Sequence, residues 1–373
     1  MKAPRVAIVG GSLTGATTAL MLQAAGFEDV TVFEAVPPTV SLAGGVIGLE
    51  HPALDLLDRL GIPQDEFVPF TSERVVAVEV LDRSVAGNVA TIYPGRNTTW
   101  TMLHRALSSR LPAGTVVTGT RVTGLDEDPD GLARLTFDNG DDLGRWDLVI
   151  FCDGRRSVGR KILDPGRRLR YAGYVAHRGM NADCPPDLRD FTRVEPGGAQ
   201  FNLFPVVRPS GDLGTDWTFY LNTHADDFRA MFGGAPTVRT FIHNVSTDAR
   251  RVVDSAAYAI LPDRHAATVR TTDERMAAPV VDIDPPTRMV WPVGGARAVL
   301  IGDALAPVRP HTARGANNGI EQAAGLVAAL TQHRKYDADR DGALLGWETR
   351  SLPAHVASVH RGPIMGRKLG LGA

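Results

Sequence analysis

The chain has 373 residues, of which 43% are hydrophobic and 22% charged, with a formal net charge of −2 at pH 7. That balance excludes a global positive field that would attract nucleic acid or anionic lipid. Two cysteines cannot build a disulfide scaffold or a zinc quartet, and no apolar run reaches the roughly 18 residues of a membrane span. The length favours two lobes. Because the first strand begins almost at the first residue, leaving no signal peptide, we predict a cytoplasmic protein.

The segment 5–34 predicts a strand, a glycine turn, a helix and a second strand. Gly10 and Gly15 let the backbone approach a pyrophosphate, and the helix N-terminus offers free N–H groups. Ser12 replaces the usual middle glycine. Glu34 closes the second strand nineteen residues after Gly15, close to the spacing of about 20 for an acid that binds a ribose. The segment therefore predicts a dinucleotide site; the alternative is a strand–helix–strand unit without a ligand.

Two later elements extend this pattern. The apolar spacing in 100–111 predicts an amphipathic helix, on which Arg105 lies off the apolar stripe and is typical of a solvated arginine. The run 147–152 predicts a buried parallel strand that ends on Asp153-Gly154. Such sheets bind ligands at the carboxyl ends of their strands, so these two residues are site candidates.

A different composition fills the middle of the chain. The segment 75–93 predicts a β-hairpin, and 169–285 is rich in aromatic and β-branched residues broken by Gly and Pro turns. Helical periodicity is confined there to 226–232 and 238–248. These features predict a mostly antiparallel sheet that forms a second lobe.

The α/β pattern returns at the end of the chain. The run 290–302 predicts a buried strand that ends at Gly302-Asp303, and helices are predicted over 316–330 and 341–360. We therefore predict one nucleotide-binding domain interrupted by insertions, with the ligand between the lobes. The predicted domains are a nucleotide-binding domain of residues 1–74, 96–168 and 286–373, and a substrate lobe of residues 75–95 and 169–285.

Three motifs stand in a fixed order: VGGSLTG with its acid, then CDGRRSVGR, then GDALAPVRPHTARGANNGIEQA. This order resembles the FAD-dependent aromatic hydroxylases, the single-component flavoprotein monooxygenases. The variants GGSLTG, YAGYVAHRG and RPHTA look most like the branch that contains 2,6-dihydroxypyridine 3-hydroxylase. The resemblance implies an α/β fold, in which a Rossmann-like FAD-binding domain is interrupted by a mostly antiparallel β-sheet substrate lobe.

Residue roles follow from the resemblance and not from the spacing. It implies that Gly10, Ser12 and Gly15, with the neighbouring Leu13, surround the FAD pyrophosphate. The other implied contacts are Glu34 with the adenosine ribose, Arg105 with the phosphates, Asp153 and Gly154 with FAD and NAD(P)H, Asp303 with the ribityl chain, and Pro310, Gly315, Ala316 and Asn317 with the isoalloxazine.

The implied reaction uses NADH or NADPH and O2. Reduced FAD forms a flavin C4a-hydroperoxide, which transfers oxygen to an electron-rich aromatic or N-heteroaromatic ring. A histidine of near-neutral pKa suits removal of a substrate proton. The candidates are His177, expected to point at the cavity, His224 and His311; the alternative for each is an ordinary packed or solvated histidine.

Substrate choice is the least determined part of the resemblance. His177 stands where closer relatives carry tryptophan, and there is no separate glycine motif for the nicotinamide cofactor. The side chains that could line the cavity are Tyr174, Arg178, Phe201, Phe204 and Tyr220, although strand aromatics are more often core.

Other functions stay open at this point. On the same fold they are a flavin-dependent epoxidase, an oxidase or a natural-product monooxygenase. An NAD-dependent dehydrogenase or a non-enzymatic binding module would explain the first motif alone. Relatives of this family are often homodimers, although no segment here proves it.

Overall fold

A computed structural model describes residues 4–37, 39, 44–208, 210–336 and 339–372. Within them the strands are β1 (Val6–Val9), β2 (Val30–Glu34), β3 (Val46–Glu50), β4 (Arg74–Leu81), β5 (Ser84–Ile92), β6 (Gly95–Thr99), β7 (Val116–Thr118), β8 (Val122–Glu127), β9 (Ala133–Phe137), β10 (Arg145–Trp146), β11 (Leu148–Phe151), β12 (Arg170–Asn181), β13 (Phe191–Val194), β14 (Ala199–Val207), β15 (Leu213–Asn222), β16 (Glu274–Asp282), β17 (Val290–Val293) and β18 (Ala296–Leu300). The helices are α1 (Leu13–Ala24), α2 (His51–Arg59), α3 (Trp100–Ser108), α4 (Val158–Leu163), α5 (Ala225–Phe232), α6 (Thr247–Ile260), α7 (Asp263–Arg270), α8 (Gly315–Tyr336) and α9 (Arg340–Lys368).

A six-stranded sheet forms the first layer, in the order β17-β18-β11-β1-β2-β7. It is parallel except for the β17–β18 pair. The residues of β1 and β11 are buried along their whole length. Both α1 and the small antiparallel sheet β8–β10 cover the parallel sheet, and Phe137 and Trp146 of that small sheet pack on Phe33 of β2. The carboxyl ends of β1, β11 and β18 therefore meet at one edge, where the three sequence motifs begin.

A seven-stranded sheet forms the second layer, in the order β16-β12-β15-β14-β13-β4-β5. Its pairs are antiparallel except β13 with β4. Strands from the predicted hairpin and from the long β-rich segment thus join one sheet. One face of this sheet packs on α6 and α7 through an apolar cluster; the other face turns toward the first sheet. The limits of the two proposed domains stay a prediction.

The predicted helix over 238–248 is wrong. Ile242 forms an isolated bridge with Ala277 of β16, and α6 begins only at Thr247. The hydroxyl of Ser246 accepts a hydrogen bond from the N–H of Ala249, which is the N-cap that starts this helix. A bridge to the sheet has therefore overridden the local apolar spacing.

The end of the chain returns to the second sheet. Helix α9 extends beyond the predicted 341–360, and the Nδ2 of Asn222 donates to the carbonyl of Gly370 at 2.8 Å. Leu371 is buried in a cluster with Tyr174 and Tyr220. No helix in the described ranges is long and apolar enough to cross a membrane.

Candidate cofactor and substrate site

The glycine turn leaves no room for side chains. A Cβ on Gly10, whose φ is +99°, would lie 2.7 Å from the carbonyl oxygen of Cys152. A Cβ on Gly15 would lie 1.8 Å from the carbonyl oxygen of Gly10. The ends of β1 and β11 and the start of α1 are therefore in backbone contact, with the buried Leu13 as the first residue of the helix. This is the close approach that a pyrophosphate site needs.

Glu34 lies at this turn. Its Oε2 accepts a hydrogen bond from the N–H of Gly11 at 2.6 Å, and its Oε1 accepts one from the N–H of Val36 at 2.8 Å. Each carboxylate oxygen keeps a further lone pair for a hydroxyl donor. The acid at the end of β2 is thus held where a ribose beside the turn could bind.

Helix α3 packs directly on the glycine turn. The Nε1 of Trp100 donates to the hydroxyl of Ser12 at 3.3 Å, and the Nε2 of His104 lies 3.2 Å from the carbonyl oxygen of Gly11. The two rings stack with their centroids 4.4 Å apart. Sequence reasoning missed both residues, although their i, i+4 spacing places them on one helix face. Arg105 is exposed on the same helix, with no side-chain ion pair or hydrogen bond to the described residues.

The Asp153-Gly154 pair lies at the carboxyl end of β11, next to this turn. The Oδ2 of Asp153 accepts the N–H of Val158 at 2.6 Å, while its Oδ1 is buried without a partner in the described chain. Burial raises the pKa of this carboxyl, against the hydrogen bonds from Ser157 and the backbone. Gly154 has a φ of +75° and open space at its Cβ position. An orphaned acceptor beside an open glycine is a place where a ligand donor fits.

The late motif reaches the same place. Cβ atoms built on Gly302 and Gly319 would lie 2.9 and 2.2 Å from the hydroxyl of Thr14 in α1. The turn after β18 and the start of α8 therefore rest on the first helix, beside the glycine turn. Segments from opposite ends of the chain meet here.

Asp303 lies in an open cleft. Its side chain is exposed to solvent. The surrounding protein nevertheless desolvates the carboxyl and raises its pKa, against the positive charges of Arg155 and Arg160. The guanidinium of Arg160 donates to the carbonyl oxygens of Asp303 and Ala304 at 3.0 and 2.7 Å. Arg160 was not among the predicted site residues, yet it ties the second motif to the third.

The start of α8 faces the same cleft. A Cβ on Gly315 would lie 3.9 Å from the Oδ1 of Asp303. Asn317 is buried two residues on; its Nδ2 donates to the carbonyl of Gly48 and its Oδ1 accepts the N–H of Glu50. Ala316 lies between them, and Pro310 is exposed in the short turn that precedes this helix. The helix N-terminus is thus anchored to β3, with its first N–H groups near Asp303.

His311 joins this turn to the second sheet. Its Nδ1 lies 3.2 Å from the hydroxyl of Tyr174, and its Nε2 lies 3.2 Å from the carbonyl oxygen of Gly362. A carbonyl only accepts, so Nε2 carries the proton and Nδ1 accepts from the tyrosine. Burial lowers the pKa of the imidazole to about 4. With both nitrogens engaged, His311 is neutral and suited to positioning Tyr174.

The structure places His177 elsewhere than expected. Neighbouring residues of β12 point to opposite faces, and the His177 ring lies against Phe232 of α5, away from the face that carries Arg178. The expectation that it points at the cavity is therefore not met. Phe201 likewise belongs to the apolar cluster with Trp217 under α6 and α7. His224 is exposed at the N-cap of α5.

The burial of His177 leads to a stability prediction. Desolvation and the charge of Arg275 lower the pKa of His177 to about 3, against 6.5 for a free histidine. Below about pH 6.5 the unfolded chain therefore binds a proton at His177 that the folded chain does not bind. The free energy of unfolding falls as the pH falls. We expect His177 to cost about 2 kcal/mol of unfolding free energy between pH 6.5 and 5. Urea unfolding at pH 7 and pH 5 measures it.

The His177→Phe side chain still packs against Phe232. In this variant the drop in unfolding free energy between pH 6.5 and 5 should be smaller by about 2 kcal/mol. The matched control is His360→Gln, at an exposed position. Equal pH dependence of the wild type and His177→Phe would contradict the assignment.

The face of the second sheet that turns toward the first carries polar and aromatic side chains. Phe204 stacks on Phe191 with the ring centroids 4.3 Å apart. The Nη1 of Arg178 donates to the carbonyl oxygen of Val46 at 3.4 Å, and the Oδ2 of Asp216 accepts the N–H of the same residue at 3.0 Å. Asp216 was missed, because a lone aspartate in an apolar strand carries no local signal. Also on this face, by register with these residues, are Gln200, Asn202, Thr218 and Tyr220.

These observations fit FAD. Two carboxylates, an unpaired arginine, an orphaned acceptor and two obligatory glycines surround one open edge of a parallel sheet, which is where dinucleotides bind. In the described part of the chain there is no group of three His, Cys, Asp or Glu that could hold a metal ion.

A family model described as an FAD binding domain matches residues 4–355. The chain belongs to that family. Its relatives include 3-amino-4-hydroxybenzoate 2-monooxygenase of Streptomyces cremeus, 28% identical over 96% of this chain and 85% of the relative. Salicylate hydroxylase of Pseudomonas putida is 30% identical over 87% of this chain and 77% of that enzyme.

A solved structure of 2,6-dihydroxypyridine-3-hydroxylase from Arthrobacter nicotinovorans superposes with a TM-score of 0.86 at 26% identity. The match covers 100% of this chain and 94% of that one. These comparisons confirm the predicted fold class, the predicted family, FAD as the cofactor, and the prediction of an FAD-dependent monooxygenase.

Proposed function

We propose that this chain uses NADH or NADPH and O2 to hydroxylate an electron-rich aromatic or N-heteroaromatic ring. The overall change is a ring C–H, O2, NAD(P)H and a proton going to a ring C–OH, water and NAD(P)+. The observation that supports it most strongly is the meeting of Gly302 and the glycine turn at Thr14, because it brings the motifs from both ends of the chain to one cleft.

The proposed cofactor contacts follow the cleft. Glu34 would accept the ribose hydroxyls, Arg105 would reach the phosphates, and Asp153 and Asp303 would accept hydroxyl donors along the cofactor. Bound FAD supplies the redox chemistry, from hydride acceptance to oxygen activation. The N–H groups at the start of α8 would stabilise negative charge on the reduced ring.

On the substrate side, Phe204, Tyr220 and Arg178 are the predicted lining residues that share the face toward the first sheet. Tyr174, held by His311, would close one end of this face; Tyr174 is buried and His311 is half-buried. Closure of this kind excludes water from the reacting atoms. We assign His311 a positioning role and place neither His177 nor His224 at the reacting ring.

The test begins with the purified protein. We expect about one FAD per chain, absorbing at about 450 nm as free flavins do. Oxidation of NADH or NADPH should accelerate when a hydroxylated arene or N-heteroarene is added, and the product should gain the mass of one oxygen atom.

Three outcomes separate the alternatives. Colourless protein that takes up no FAD would contradict the proposal. Substrate-dependent NAD(P)H oxidation that continues unchanged without O2 would indicate a dehydrogenase, and hydrogen peroxide without an oxygenated product would indicate an oxidase. The expected homodimer and cytoplasmic location stay predictions; size-exclusion chromatography with light scattering tests the first.

A further inference from the structure

Asp216 carries a buried oxygen that nothing in the described chain satisfies. The residue is 1% exposed, and its Oδ2 accepts the N–H of Val46 at 3.0 Å. Its Oδ1 has no hydrogen-bond partner among the described residues. A buried acceptor without a donor is costly, and native proteins keep few of them. A ligand that brings a donor would remove this cost.

Arg178 provides the complementary group beside it. Its Nη1 makes one long hydrogen bond, at 3.4 Å, to the carbonyl oxygen of Val46. A Cβ on Gly45 would lie 2.5 Å from this nitrogen, so the loop passes closely over the guanidinium. One donor group and one acceptor group therefore lie side by side under the Gly45–Val46 backbone.

Both side chains border a cavity that suits a small ring. Arg178 and Asp216 line a cavity of about 290 Å³, together with Met276, His243, Arg250, Arg275, Asp273 and Glu274. Small-molecule pockets start at about 300 Å³, so this volume suits a single ring.

Strand β3 links this cavity to the proposed cofactor cleft. Asp216 and Arg178 both contact Val46, which is two residues from Gly48, and the carbonyl of Gly48 accepts from Asn317 at the start of α8. Two strand residues span about 7 Å. The same short strand therefore holds both the pair and the helix start that faces the proposed flavin.

We propose that Asp216 and Arg178 determine substrate specificity by binding a ring N–H and an adjacent ring carbonyl or hydroxyl oxygen. The inference rests on the proposed hydroxylase function and narrows it. The substrate class is an uncharged N-heteroaromatic ring of the cyclic-amide type, such as a hydroxypyridine in its pyridone form.

The same pair disfavours an aromatic carboxylate. A carboxylate offers two acceptors and no donor, so it would leave Asp216 Oδ1 unsatisfied and place two negative charges together. Benzoate-type and pyridine-type names both occur among the relatives. Asp216 is the residue of this chain that favours the second type.

Ligand binding to the FAD-loaded full-length chain tests the proposal. The probes are 2-pyridone and N-methyl-2-pyridone, which differ only in the ring N–H, and the readout is the change in flavin absorbance without NAD(P)H. We expect N-methylation to weaken binding about tenfold to a hundredfold, because the methyl group leaves the acceptor unsatisfied. Salicylate should bind more weakly than 2-pyridone.

Variants then assign the effect to residues. Asp216→Asn can keep its bond to Val46 while it replaces the free acceptor with a donor. It should therefore weaken 2-pyridone about tenfold or more and shrink the N-methyl penalty to about threefold or less. Arg178→Gln should weaken 2-pyridone but keep the penalty, since the N–H acceptor remains. The matched control is Asp212→Asn, exposed just before β15, which should behave as the wild type.

The contrary outcomes are distinct. Equal binding of the two pyridones by the wild type, tighter binding of salicylate, or an unchanged N-methyl penalty in Asp216→Asn would each overturn the proposal. So would an FAD-loaded enzyme that hydroxylates another aromatic but does not bind 2-pyridone. Failure to bind FAD, or the absence of stimulated NAD(P)H oxidation with every aromatic, would overturn the proposed function instead. FAD content and thermal unfolding of each variant separate a specificity effect from misfolding.

Discussion

Gly15→Ala is expected to abolish FAD binding. The added Cβ would lie 1.8 Å from the carbonyl oxygen of Gly10 and 3.5 Å from the Cβ of Cys152. The first of these contacts is to backbone, so no side-chain rotation relieves it. The start of α1 must move away from the end of β1, and the N–H groups of the turn then no longer converge on one anion. We expect FAD content below about one tenth of the wild-type value.

The measurement is the ratio of flavin to protein absorbance after purification with excess FAD. Gly166→Ala is the matched control, because its Cβ would meet nothing within 4 Å and its φ is not positive. It should retain full FAD. A Gly15→Ala protein that retains wild-type FAD would show that the turn is not the pyrophosphate site.

Arg160→Met is expected to destabilise the fold by about 3–5 kcal/mol and to weaken FAD retention. Arg160 is 3% exposed, and its guanidinium donates to three backbone carbonyls, those of Arg155, Asp303 and Ala304. Desolvation lowers its pKa to about 10, so it stays charged at neutral pH. Methionine fills similar space but leaves three buried or part-buried carbonyl acceptors without this donor, which is costly.

The loss should also be visible at the cofactor. Arg160 holds the turn that presents Asp303 against the turn that follows Asp153, so its removal frees two motifs at once. Urea unfolding measures the stability and dilution-induced loss of flavin measures retention. Lys161→Met, the exposed neighbour on α4, is the control and should stay within about 0.5 kcal/mol of the wild type. A similarly small effect of Arg160→Met would contradict the proposed role.

Local signals were sufficient for the glycine turn and its acid, although not for Trp100, His104 or Arg160. A strand, a glycine turn, a helix and an acid at fixed spacing are neighbours in sequence, so Gly10, Gly15 and Glu34 come together within one unit. The carboxyl ends of parallel strands share one edge, which is why Asp153 and Asp303 could be expected at the same cleft as the glycine turn. The order of the three motifs along the chain also identified the family.

Only the tertiary structure shows which side chains of the second sheet face the first sheet. Alternation along β12 requires His177 and Arg178 to face opposite ways, but only packing against α5 shows which one faces the first sheet. Asp216 depends on Val46, which lies 170 residues away in sequence, and no local pattern encodes that contact. Residues that are neighbours in sequence set the geometry of a phosphate-binding turn. A substrate pocket is assembled from side chains whose direction depends on how two sheets pack together.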